Sequence, residues 1–122
     1  MPVLIVYGIP AEIDRETLDL LASELQIEVS LPLCIQGNEV SVFFPAEVAQ
    51  WRAGGELVCI IEGLFEKPER TPFVRQKVAK AALMPLLRLV SNRLRSKCKK
   101  VEVIVKRFDQ YKDGFAVHVA GG

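Results

Sequence analysis

Two stretches decide the fold: Pro2-Val3-Leu4-Ile5-Val6-Tyr7-Gly8 near the start of the chain, and Leu57-Val58-Cys59-Ile60-Ile61-Glu62-Gly63 in its middle. Both are short apolar runs rich in β-branched residues and closed by glycine, the pattern of a buried strand. A helical segment follows each. Asp14 is placed to cap the first, with Leu18, Leu21, Ala22 and Leu25 at helical spacing. Thr71-Pro72 opens the second, where proline's missing N–H costs nothing. Its stripe is Phe73, Val74, Val78, Ala81, Ala82, Leu86, Leu89, Val90 and Leu94, and Pro85 inside that stripe predicts a kink or an interruption. A second strand follows each helix, Val40 to Pro45 and Val101 to Lys106.

The chain therefore reads as βαβ twice, with pseudo-repeats over 1–47 and 56–109 of a single domain spanning 1–122. A strand, crossover helix and strand imply a parallel pair with a right-handed crossover. The expected class is α+β: a duplicated βαβ forming a four-stranded mixed sheet, two helices on one face and a short C-terminal strand over Phe115–Val119. That last strand is a candidate for pairing with a neighbouring subunit. The connector Ala46 to Gly55 holds Trp51, a candidate subunit anchor, and ends in Gly54-Gly55. Both the ferredoxin-like and the tautomerase folds have this order of elements, and periodicity does not separate them.

Composition narrows the setting. Half of the 122 residues are hydrophobic, which supports a real core with apolar surface to spare for an interface. Neither a signal peptide nor a bilayer-spanning run is read, and the three cysteines (Cys34, Cys59, Cys98) lack metal-ligand spacing. With His118 as the only histidine, no metal site is expected, and reduced thiols point to a cytoplasmic setting. Cys59, inside an apolar strand, is expected to be inert. The net charge of +1 hides a strong asymmetry. Residues 1–66 hold most of the acids and only Arg15 and Arg52 as cations. Residues 67–107 hold most of the cations, with Glu69 and Glu102 as their only acids. Such a split suggests an anionic partner, head-to-tail self-association, or simply solvated helix faces of one sign. Nucleic acid ranks last, because the basic run lacks interleaved aromatics.

Pro2 admits two readings. Aminopeptidases remove Met1 before a small residue, which would leave a secondary amine at the edge of a buried strand. Such an amine titrates near neutrality and can serve as a general base. Alternatively, Pro2 only begins an edge strand, where no N–H is needed. With Met1 retained, the proline nitrogen is an amide and has no basicity.

With Pro2, the repeat and the connector in view, the chain resembles the tautomerase superfamily, in the one-chain double-βαβ layout of the migration-inhibitory-factor and 4-oxalocrotonate-tautomerase branches. The resemblance runs through Pro2–Val6, Val42–Pro45, Trp51–Gly55, Leu57–Ile61, Val101–Lys106 and Gly114-Phe115. It implies a homotrimer with sites between subunits, no cofactor, and Pro2 moving a proton between carbon and oxygen of a small 2-oxo or 2-hydroxy acid. Cations would hold the substrate carboxylate. Lys106 and Arg107 are the substitutes by type, and Phe115 matches an aromatic of the family's pocket. The chain departs from the family where an arginine would follow the strand-ending glycine: Ile9 and Leu64 stand there. Glu102 replaces another arginine, and a carboxylate would repel an acidic substrate. These departures keep a second reading open, a catalytically inactive oligomeric or protein-binding module on the same scaffold. Tyr7, on the strand face opposite Pro2 and Leu4, is expected to face the core or the helices. His118 is expected to face solvent or an interface.

Overall fold

A computed structural model describes residues 1–45 and 55–120. Its elements are β1 (Val3–Tyr7), α1 (Arg15–Leu33), β2 (Ser41–Phe43), β3 (Glu56–Phe65), α2 (Pro72–Leu89) and β4 (Lys100–Phe108). Each half makes a parallel pair: Leu4 lies opposite Val42, and Cys59 opposite Val103. The halves join through β1 and β3, which run antiparallel with Ile5 opposite Ile60, so the sheet order is β2-β1-β3-β4. This register gives the sheet an approximate two-fold relation. It exchanges Ile5 with Ile60, Gly8 with Gly63, and Pro2 with Leu57.

The helix starts follow from local chemistry. The Asp14 carboxylate accepts from the Thr17 hydroxyl at 2.6 Å and from the Thr17 N–H at 3.4 Å, and that hydroxyl holds the Asp14 carboxyl below the ordinary aspartate range. The Thr71 hydroxyl accepts from Val74 N–H at 3.2 Å, with Pro72 in the first helical position. α1 ends after Pro32 in its last turn, and Cys34 takes a left-handed conformation (φ 56°) that returns its N–H to the Leu31 carbonyl at 3.2 Å. Pro85 does not interrupt α2. The helix continues to Leu89 and then widens into a π turn over Val90–Leu94. Ala82, Pro85 and Leu86 are all buried, and their packing holds the backbone helical across the missing donor.

Both helices cover the face presented by Leu4, Val6, Leu57, Cys59, Ile61 and Leu64, closing the core with Leu25, Val29, Val78, Ala82 and Leu86. Leu86 is fully buried. Replacing it with alanine is expected to destabilise the chain by about 2–5 kcal/mol, read as a lower urea midpoint at unchanged slope.

Tyr7 corrects its expectation. It lies with Val3 and Ile5 on the face that carries no helix, and it is half exposed. Alternation gave its grouping but not which face meets the helices, because both faces are apolar. On the helix-free face, Phe43, Ile5, Ile60 and Ile104 form one continuous row across all four strands. Phe73, placed in the stripe of α2, is largely exposed, with the Lys77 ammonium 4.6 Å from its ring centre. The short C-terminal strand at Phe115–Val119 is not formed within the single chain: the segment is exposed and outside any ladder. A strand exists only through a partner's N–H and C=O groups, and this segment has none within the described residues. Trp51 lies outside the described residues.

The charge asymmetry is partly resolved inside the chain. α1 and α2 lie side by side, and Glu24 pairs with Arg88 at 2.8 Å while Glu12 pairs with Lys97 at 3.0 Å. These bridges are exposed and contribute about 0–1 kcal/mol each. Burial pushes the Cys59 thiol up to about 12, which fits an inert core cysteine. Among the described residues, no helix is long and apolar enough to cross a membrane.

Candidate active site

The N-terminal end of β1 meets the C-terminal ends of β3 and β4 and the start of α2. Pro2 is buried, and its carbonyl accepts from Ser41 N–H at 3.1 Å, which ties the first residues to β2. Gly63 lies beside this end. The pairing of β3 with β4 runs regularly to Ile61 opposite Val105 and resumes at Leu64 opposite Arg107, so Glu62 and Gly63 together face Lys106. One extra residue on β3 is a bulge, and a left-handed glycine (Gly63, φ 71°) lets the strand bend there.

Met1 is bonded to the Pro2 nitrogen in this structure, and its carbonyl packs on Gly63. A β-carbon built on Gly63 would lie 2.6 Å from the Met1 oxygen and 3.7 Å from its carbonyl carbon. Burial holds the Met1 α-amine below its ordinary value; the Arg70 and Lys67 charges lower it further, while Glu39 opposes them. An amine at this end therefore feels two cations from the β3–α2 connection.

Those cations belong to an open cleft of about 570 Å³ lined by Glu66, Lys67, Arg70, Arg75, Arg107 and Tyr111 among others. Arg70 donates from Nη1 to the Phe65 carbonyl at 2.8 Å, and Arg75 donates from Nη1 to the Arg70 carbonyl at 2.6 Å. Backbone carbonyls position these guanidinium groups without neutralising them, so each keeps donors for an anion. The first turn of α2 carries no acid and adds its own positive end.

The residues singled out by sequence are distributed around this end. Lys106 pairs with Glu62 at 3.2 Å, and Arg107, in the cleft wall, pairs with Glu66 at 3.3 Å. Phe115 stacks edge-on against Phe65 at 4.9 Å and approaches Phe108 at 6.3 Å, where Phe65 and Phe108 also touch. Glu102 is four residues back along β4, about 13 Å at the usual strand rise, opposite Val58 and ion-paired with Lys100. Within one chain it is remote from Pro2. His118 is exposed in the tail. Sequence reasoning missed Lys67, Arg70 and Arg75 as a group. The available signal was their position: a short connection from a strand to a Thr-Pro helix start brings its cations back to the strand end.

No family model and no curated protein matches this sequence. Solved structures do. The R7 fused 4-OT, an asymmetric trimer, superposes with a TM-score of 0.69 over 93% of this chain and 91% of its own, at 16% identity. The fold is tautomerase-like. The Q0 fused 4-OT, a symmetric trimer, agrees at TM-score 0.67 over 97% of this chain and 94% of its own, with 13% identity. Pt0534, solved after inactivation by 2-oxo-3-pentynoate, agrees at TM-score 0.62 over 94% and 90%, with 14% identity. The tautomerase-like fold thus covers nearly the whole chain and includes the α+β architecture expected from the repeat.

Proposed function

We propose that this chain is a tautomerase that interconverts the enol and keto forms of a small 2-oxo or 2-hydroxy acid, with Pro2 as general base once Met1 is removed. The observation that carries this reading is the convergence of the β1 terminus with the Lys67–Arg70 cations. Burial and the Arg70 and Lys67 charges lower the pKa of the Met1 amine, and a Pro2 amine in the same place would meet the same influences, which favour the unprotonated base. The same cations attract a carboxylate. In this reading Arg70 and Lys67 hold the acid group, Lys106 and Arg107 flank it, and Phe115 closes the apolar side. The proton leaves carbon for the Pro2 nitrogen and returns to oxygen, or the reverse, and no cofactor is needed. The working form is a homotrimer, in keeping with the trimers of the fused 4-OT neighbours, with the Phe43–Ile5–Ile60–Ile104 row covered by other copies and the setting cytoplasmic.

The test is ketonisation of enolised phenylpyruvate by protein whose Pro2 terminus is confirmed by intact mass. Turnover well above buffer is expected; buffer-level rates with a free Pro2 would overturn the reading. A second measurement addresses Arg70. A base must be unprotonated, so kcat/KM rises with pH through the amine's pKa. Removing the neighbouring positive charge favours the protonated amine and raises that pKa. Arg70→Gln is therefore expected to move the ascending limb to higher pH and to raise KM. An unmoved limb would remove Arg70 from the site.

A further inference from the structure

We infer that Gly63 sets how much bulk the reacting carbon of the substrate can carry at Pro2, an inference that rests on the proposed proton transfer there. The Met1 acyl group marks the place. Its carbonyl carbon is trigonal, is attached to the Pro2 nitrogen, and bears two further heavy atoms, the oxygen and Cα. It marks the direction from which a substrate's enolisable carbon would reach the free amine, held about 3 Å from the nitrogen rather than at bonding distance. The oxygen, one of the two heavy substituents, occupies the space that a β-carbon on residue 63 would need, 2.6 Å away. Real side chains do not approach so closely, so any residue other than glycine removes that space. The bulge at Glu62–Gly63 creates the opening by turning the strand where it passes the β1 terminus. The substrate class that follows is a 2-oxo acid bearing a carbon substituent on C3.

Gly8 supplies the control. It is the two-fold counterpart of Gly63 and also has positive φ, 94° against 71°, but it lies at the far end of β1. Alanine at either position is strained by the positive φ. Only alanine at 63 fills the space beside Pro2.

The experiment follows deuterium uptake at C3 of pyruvate and of 2-oxobutanoate by NMR, using chains processed to Pro2. In each case the C3–H bond breaks, the proton passes to the Pro2 nitrogen, the nitrogen exchanges with solvent, and deuterium returns to C3. The wild type is expected to act on 2-oxobutanoate at least as well as on pyruvate, each relative to its buffer rate. Gly63→Ala is expected to lose about a hundredfold more on 2-oxobutanoate than on pyruvate, whereas Gly8→Ala lowers both equally. Equal losses in Gly63→Ala, or none, would overturn the inference. So would a wild type that rejects 2-oxobutanoate, or a Gly63→Ala chain that fails to fold where Gly8→Ala folds. If the wild type exchanges neither acid, the Pro2 base reading fails on its own. Cyanate then reads the space directly: the Pro2 nitrogen bonds to the isocyanic acid carbon and its proton passes to the reagent nitrogen, with no catalysis required. Slower carbamylation in Gly63→Ala than in both wild type and Gly8→Ala would support the opening, and equal rates would dismiss it.

Discussion

Replacing Pro2 by alanine in the processed chain is expected to lower phenylpyruvate ketonisation by about two to four orders of magnitude, the usual contribution of a positioned general base, while leaving the oligomer's mass unchanged. Alanine still presents an amine, so some activity persists. What is lost is the ring. It stops rotation about the N–Cα bond and fills buried space at the strand edge, so the nitrogen's lone pair has few directions open to it. The Ser41 N–H bond to the residue-2 carbonyl does not depend on the side chain and should survive. Turnover unchanged in Pro2→Ala would exclude Pro2 as the base, whatever the fold.

The second large effect concerns assembly. Ile60 sits at the centre of the helix-free row, between Ile5 and Ile104. In a lone chain this face is open to water, and a lysine at position 60 could extend its ammonium into solvent at small cost. Covered by other copies, the same ammonium would be buried without a partner, a penalty of several kcal/mol for each chain. Ile60→Lys is thus expected to convert an assembly of about three times the 13.6 kDa chain mass into single chains that keep their far-ultraviolet circular dichroism. Light scattering coupled to size exclusion reads this directly. A variant that remains trimeric would place the interface elsewhere, and a monomeric wild type would remove the trimer from the proposal.

Much of the fold was legible because its signals are local. Val3–Tyr7 and Leu57–Ile61 are β-branched runs that nothing but a strand accommodates in a sheet buried on one side. Asp14 and Thr71-Pro72 announce helices through the hydrogen bonds they make. The crossover rule then supplies parallel pairing within each half. The outward face of Tyr7 was not legible, because a sheet that is apolar on both sides gives no sign to its alternation. Pro85 read as a kink or an interruption because propensity weighs one residue at a time, while the packing of Ala82 and Leu86 acts on the whole turn. At the site, Pro2 was visible through the chemistry of a chain terminus. The Lys67–Arg70–Arg75 group was not, since its members share no periodicity and meet only because a bulged strand and a capped helix fix the two ends of their connection. The same bulge is why Gly63, read from sequence as a strand terminator, lies within β3.

The two-fold relation between the halves has a consequence for counting. Pro2 and Leu57 occupy equivalent places at opposite ends of the central strand pair, yet Leu57 is fully buried and peptide-bonded on both sides. Joining two βαβ units into one polypeptide leaves a single free α-amine where two separate units would have had two. A reagent selective for α-amines should therefore saturate at one equivalent per chain. The end of the sheet around Leu57 and Gly8 therefore carries no α-amine of its own.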